Sequence, residues 1–575
     1  MSPLRNLLVP AVLGTACARP TAPSPPFVAE VTEPEWSGPT LASLDFPGDP
    51  ILAAAARDTL ALLLVLHPER AADAGLLADG LHLPSFSPDA LADHLSALDT
   101  LAERLAEFDE NSLSTADHID LLLLRTEVAT ARHQLTIERR FTHRPAEWLE
   151  PVSSLLAAHL AASEPHPAAV DRLVRQLPAM FDEMRQVVTD PTRRDVDTAH
   201  GLLQAIDNML SARPPTPAIS EAIAALRAYK AALPSTDTLP EMRMIGGDAY
   251  RWRLEHALLL PWDAETLLAH AEADLAVVDA ELARLQDQRT PRPPPTEAEV
   301  ARGRELDAQG FLDLHDEMVA RYLDRLRAMD VLTVPDDLPP LRARPTPDAL
   351  IPLTGDGGSM NPVPAFGPES NRRAWWNVEH FRPGSDPDQH IGTVVTMARS
   401  DESWFGPYAV HEGVPGHHLQ LSIVRELPRP VRRLAHSGPG VEGWALYAEA
   451  LFEENGGFGG TVEGRIHTLR SYRARIKRVV FDVKVETGEW TLQQAADWKH
   501  DQPEGQGHVD PELLRTVQWP TQLIGYYAGR EEIEAIKARC REHLADAWSE
   551  REFHDKLLAQ GPIPVSLAGL ALDCE

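Results

Sequence analysis

Residues 411–418, His411-Glu412-Gly413-Val414-Pro415-Gly416-His417-His418, combine imidazoles and a carboxylate at a spacing that suits metal-assisted hydrolysis. His411 and Glu412 begin like the pattern H-E-x-x-H. In that pattern two imidazoles one helical turn apart hold a zinc ion, and the glutamate takes a proton from the attacking water. Here the fourth residue after His411 is Pro415, which offers no ligand atom; the next imidazoles come at His417 and His418. On an unbroken helix His417 would lie about 240° round from His411, and His418 would share its face but sit about 10.5 Å along the axis. Neither could then join His411 on one ion whose bonds are about 2 Å long. Pro415 has no N–H for the His411 carbonyl, and Gly416 reaches backbone angles closed to other residues, so the helix is expected to bend there. His417 needs the smaller distortion and is the expected second ligand, with His418 in the shell behind it.

A third ligand must come from elsewhere, and Glu442 is the candidate, in Gly438-Pro439-Gly440-Val441-Glu442-Gly443-Trp444. The Gly-Pro-Gly opening followed by a helical run puts Glu442 in a first turn facing the preceding loop. Glu449, seven residues on, shares its face and could hold a histidine N–H, fixing that ring's tautomer.

The elements that must position these groups are helical. Ile51–Leu66, Ile119–Arg139, Leu202–Leu210, Ser220–Leu233 and Ala264–Leu285 repeat apolar residues at three- and four-residue spacing. One β-branched run, Ile391–Met397, predicts a short strand. Proline clusters at 291–295 and 335–347 predict linkers or long loops. The expected class is mainly α: an N-terminal helical lobe over residues 48–240 and a helical catalytic lobe over 241–575 with a small β element. Seven of the twelve tryptophans lie between residues 370 and 530, as a cleft lined with large rings would have.

The chain of 575 residues is 43% hydrophobic and 24% charged, enough apolar surface for a full core. Its 86 acidic against 54 basic side chains give a net charge of −32, which repels phosphate backbones and anionic lipid heads and argues against nucleic acid as a partner. Three cysteines (Cys17, Cys540, Cys574) exclude a cysteine-built metal site. Arg5, the apolar stretch Leu7–Leu13 and small residues up to Cys17 resemble a lipoprotein signal over residues 1–17 with Cys17 as the lipidated residue. A proline-rich tether would follow over 18–47. The chain is then expected in the cell envelope, periplasm or outer membrane, touching the membrane only through that lipid. In such a compartment Cys540 and Cys574 could pair.

His411–Gln420, Glu442–Glu449, Arg478-Val479-Val480-Phe481-Asp482, Glu489-Trp490-Thr491, Arg515 and Pro520–Gly529 together resemble the bacterial family known as domain of unknown function 885. The resemblance implies a two-lobed helical fold similar to zinc carboxypeptidases and oligopeptidases, with a deep channel. It also implies one Zn2+ held by His411, His417 and Glu442, and Glu412 as general base. One departure is Glu486, where the family commonly has a histidine. Tyr526 is the candidate donor to the oxyanion of a tetrahedral intermediate. Arg478 and Arg515 could clamp the carboxylate of a peptide or other small carboxylate-bearing substrate, or else pair with Asp482 and other acids of the chain.

The expected activity is zinc-dependent peptide hydrolysis. Two alternatives stay open: a zinc hydrolase of a non-peptide amide or ester, and a non-catalytic binding lipoprotein. Retention of Glu412 argues against the second, since a metal-binding relic has no need of that carboxylate. There is no G-x-S-x-G, and Gly355-Asp356-Gly357-Gly358-Ser359 lacks the lysine of a phosphate loop.

Overall fold

The helical periodicity is realised almost where it was expected. Pro50–Leu66, with the Asp49 carboxylate accepting from the Ile51 and Leu52 amides, buries Leu52, Leu60, Leu63 and Leu64 along one side. Thr115–His133, Arg193–Ser211, Pro217–Ala232 and Ala264–Gln286 follow, each opened by a side-chain cap that satisfies an otherwise unpaired amide. The second of the expected helices ends early, in a wider turn over Gln134–Glu138 that closes on Arg139 at φ 46°.

The computed structural model describes residues 38–161, 167–348, 350–351, 355–368, 372–382, 386–572 and 574. The expected signal segment and Cys17 lie outside the described residues. Within the range expected for the tether, Leu41 and Phe46 are buried in the main core, because two apolar side chains gain more by packing than by staying in water. Residues 38–575 form one unit. Its largest apolar cluster draws Leu124, Phe181, Trp376, Trp444 and Ile563 from both sides of residue 240. The described residues are 66% helix and 3% strand. None of their helices is singly long and apolar enough to cross a membrane.

The expected strand at 391–397 is instead inside the helix Pro387–Ala398, where the Asp386 side chain accepts the Asp388 amide and Val394, Val395 and Met397 are buried. A short β-branched run is ambiguous by pattern, and its helical start signal decides it. The strands are β1 (Leu341–Pro345), β2 (Ser359–Asn361) and β3 (Ala374–Val378), in the order β1-β3-β2. β1 runs parallel to β3, and β2 antiparallel. The proline-rich stretch 335–347 therefore holds a strand as well as loop. Pro345 is tolerated because β1 is an edge, where a missing N–H breaks no inner ladder. One face of the sheet, Leu341, Ala343, Ala374, Trp376 and Val378, packs into the core. The other carries Arg344, Asn361, Trp375 and Asn377, which alternation and register put side by side.

Candidate metal centre

Four helices converge on the cluster. Phe405–Glu412 ends with both of its functional residues in its last turn, and His417–Val424 starts with His417. The expected bend is a complete break across Gly413–Gly416. The Gly416 amide reaches back to the Val410 carbonyl at 3.1 Å, and the His418 amide to the Gly413 carbonyl at 3.1 Å, so the orphaned backbone groups are paired within the loop. A Cβ at Gly416 would stand 2.1 Å from the His411 oxygen, so only glycine allows this return. The Trp444 indole donates to the Pro415 carbonyl at 2.9 Å and ties the loop to the helix Gly438–Glu454.

That helix is opened by Ser437, whose hydroxyl accepts the Gly440 amide at 3.3 Å, and Glu442 comes just past its first turn. It crosses the helix Gly525–Leu544 at very short range: a Cβ at Gly529 would lie 2.1 Å from the Pro439 oxygen, and one at Gly443 would lie 2.5 Å from Gly529 Cα. The glycines next to Glu442 and after Tyr526 thus let two backbones touch and bring both side chains to one place.

His411 Nε2 stands 3.4 Å from Glu442 Oε2, and His417 Nε2 stands 3.3 Å from the same oxygen. Two ligands bonded at about 2 Å to one tetrahedral ion are about 3.3 Å apart, so these separations suit a shared cation. The donor atoms of His411, His417 and Glu442 all lie within 4.8 Å of one another. Glu442 Oε2 is buried and accepts no hydrogen bond, an acceptor left open toward the two rings. The Glu449 carboxylate takes the other ring nitrogen, His411 Nδ1, at 2.8 Å, which aims Nε2 at the cluster. Glu449 is in turn 3.9 Å from Arg475.

Burial is the largest influence on the charges and disfavours all of them. At His411 the nearby Glu442 carboxylate and the bond to Glu449 outweigh it and the pKa ends above its ordinary value. At Glu442 the two histidines outweigh it and the carboxyl ends well below its ordinary range. Glu412 has no such bond: burial, only partly offset by His417, pushes it up to about 7.

His417, not His418, joins His411. His418 does not stand behind the cluster as expected. It is 3.4 Å from the Ser422 hydroxyl and bonded to the Pro339 backbone, and burial lowers its pKa to about 4. Tyr526 lies beside the cluster, its ring 5.9 Å from that of His411, and its hydroxyl receives Arg515 Nη2 at 3.3 Å. Arg478 covers the Tyr526 ring at 4.5 Å, but its guanidinium is engaged by Glu512 at 2.6 Å. Glu512 takes its Nε and Nη2 while Nη1 has no hydrogen-bond partner among the described residues, Arg478 does not line the cavity onto which the cluster opens, and its acid partner is not Asp482, which accepts from the Tyr250 hydroxyl at 2.8 Å instead. Glu486 is buried and accepts the Ile245 amide at 2.9 Å. The Cys540–Cys574 disulfide is present.

The cluster opens onto a cavity of about 1960 Å³ that includes His411, Glu412, His417, Glu442, Arg515 and Tyr526 in its wall. Of the seven grouped tryptophans, Trp375 and Trp519 line it; Trp376 and Trp444 are core, and Trp490 and Trp498 pack on each other. The cavity wall also includes His436 and, beside Trp375, Arg344 on β1 and Arg373 just before β3, three residues that the sequence did not single out. The period-two alternation Arg373, Trp375, Asn377 was the available signal for the sheet residues; nothing local marks His436.

A helical body whose described residues gather two imidazoles and a carboxylate at the wall of a large cavity defines a protein with a candidate metal centre. Residues 68–569 match the family described as "Bacterial protein of unknown function (DUF885)", and the chain belongs to that family. Two solved structures are similar, each described as a "putative lipoprotein". The one from Shewanella oneidensis, of unknown function, is 18% identical with a TM-score of 0.70, covering 90% of this chain and 98% of its own. The one from Colwellia psychrerythraea is 16% identical with a TM-score of 0.68, covering 91% and 98%. No curated protein matches the chain.

Proposed function

We propose that the chain is a zinc-dependent hydrolase that cleaves peptide bonds, of carboxypeptidase or oligopeptidase type. The observation that carries this reading is the donor set His411, His417 and Glu442, one oxygen standing 3.3 and 3.4 Å from two imidazole nitrogens, with Glu412 next to it in sequence and buried. A zinc ion bound by these three would supply a Lewis acid for the scissile carbonyl and for the attacking water. Glu412 takes the proton of that water and returns it to the leaving nitrogen; a carboxyl raised to about 7 holds and releases protons near neutrality. Tyr526 donates its hydroxyl to the developing oxyanion, positioned by Arg515 at 3.3 Å. Glu449 keeps His411 in the tautomer that presents Nε2.

Metal analysis of the purified chain, joined to turnover of a mixed peptide library by Glu412→Gln, tests the reading. The variant should keep its metal and lose activity by roughly 10²- to 10⁴-fold. Full turnover by Glu412→Gln would overturn the base assignment, and a wild-type chain without a stoichiometric divalent ion would overturn the site.

We also propose that the chain is exported and anchored through Cys17, a reading supported by the apolar and small residues before it and by the description shared by the two similar structures. Acyl labelling should be lost in Cys17→Ser; persistence of the label would refute the anchor.

A further inference from the structure

The sheet beside the metal centre has its polar face turned to the cavity. Tyr408, one turn before Glu412, receives the Trp376 indole N–H at 3.3 Å, which fastens β3 to the helix that carries Glu412. On the cavity side the Arg344 guanidinium lies 5.0 Å and the Arg373 guanidinium 5.4 Å from the centre of the Trp375 ring. Arg344 donates to Asn377 Oδ1 at 2.8 Å and to Asn361 Oδ1 at 3.0 Å, two neutral acceptors that orient it without neutralising it. Among the described residues no carboxylate pairs with Arg344 or Arg373.

Acids are abundant in this chain, 86 against 54 basic residues, and several arginines of the region pair with them, whereas Arg515 on the same wall is held, like Arg344, by neutral partners. Arg342, two residues before Arg344 on β1, bonds Asp316 at 3.0 Å; Arg253 and Arg70 on the same cavity wall pair with Glu138 and Glu127. Arg344 is half-buried, and burial holds its pKa below the ordinary value with no acid to offset it. A cation held by amides in so acidic a protein is kept for a negative charge that arrives from outside.

We infer that Arg344 and Arg373, which both approach the Trp375 ring, form a subsite that binds the carboxylate of the substrate, with the exposed part of the Trp375 ring packing against the apolar group that carries it. A planar guanidinium meets a carboxylate with two parallel N–H···O bonds, and Trp375 offers the adjacent group a flat apolar surface. The subsite deepens the hydrolase reading and rests on it only in calling the ligand a substrate: it names acids, and among peptides those with a free terminus near the scissile bond. It also puts positive charge in the cavity wall itself, which Arg478 does not line.

Binding of 3-phenylpropanoate and of 3-phenylpropanamide to the purified full chain, measured by calorimetry, separates the subsite from the chemistry, since neither ligand has a peptide bond to cleave. The wild type should prefer the acid by about 10- to 100-fold, the range for charge-assisted bonds. The double variant Arg344→Gln/Arg373→Gln should lose that preference, Arg344→Lys should keep part of it, and thermal unfolding checks that each variant folds. If the double variant does not fold, Arg373→Gln, at an exposed side chain, should still reduce the preference. A preference for the acid that survives the loss of both arginines, or that the wild type never shows, overturns the subsite. Peptide turnover is scored separately: a chain that binds acids through these arginines but cleaves no peptide keeps the subsite and loses the hydrolase reading.

Discussion

Removing the carboxylate behind His411 should weaken zinc binding without touching a ligand. Glu449 is 1% exposed and accepts His411 Nδ1–H at 2.8 Å, with Arg475 3.9 Å away on its other side. A buried hydrogen bond to a charged group contributes about 1.5–3 kcal/mol, which is roughly a 10- to 150-fold change in an equilibrium constant. Glu449→Gln keeps an acceptor oxygen but loses the charge, so the zinc Kd should rise about tenfold, the low end of the usual outer-shell range. Glu449→Ala leaves the Nδ1–H unpaired in a dry site and frees the ring to turn, so about 100-fold is expected. Competition against a chromophoric chelator at fixed pH measures both, and circular dichroism confirms that the helices persist. An alanine variant that holds zinc as tightly as wild type would refute the reasoning, because Nδ1 would then not be what aims Nε2 at the ion.

His417→Ala should release the metal, whereas His418→Ala, whose ring lies against Ser422 and Pro339, should keep it; metal content after dialysis decides, and the reverse result would mean that the break in the helix presents the other ring. Burial raises Asp482 to about 7, and burial together with the neighbouring Asp482 raises Glu486 to about 8. Between roughly pH 4, where free carboxyls ionise, and pH 8, the folded chain therefore binds more protons than the unfolded one, so these groups make stability fall as pH rises through that window and level off above it. Urea midpoints should show the loss, about 4 kcal/mol for each group at roughly 1.4 kcal/mol per pKa unit, and Glu486→Gln should flatten the slope and stabilise the chain at the alkaline end; an unchanged slope would refute the assignment.

The helical class was legible in the sequence, because three- and four-residue apolar spacing and capping residues such as Asp49, Thr192 and Asp263 act within a few residues of chain. The donor types were legible for the same reason. Pro415 and Gly416 forbid a regular helix whatever surrounds them, so a break that could bring His417 back toward His411 was readable from local stereochemistry. The seven-residue spacing of Glu442 and Glu449 likewise put both carboxylates on one helix face, readable together from local periodicity alone.

Partners across long separations were decided only by the tertiary structure. Whether Arg478 meets a substrate or Glu512 depends on how the helix Pro511–Gln518 docks on Val462–Glu486, which no local pattern encodes. The Ile391–Met397 run suited a strand or a buried helix equally until packing chose, and β1 formed among prolines because its partner β3 comes from about thirty residues further on. Arg344 and Arg373 became visible as a pair only once the pairing of β1 with β3 brought both guanidiniums near the Trp375 ring, in the wall of a cavity that the chain alone does not display. Local stereochemistry acts through neighbours in sequence, whereas charge pairing and cavity walls depend on neighbours in space.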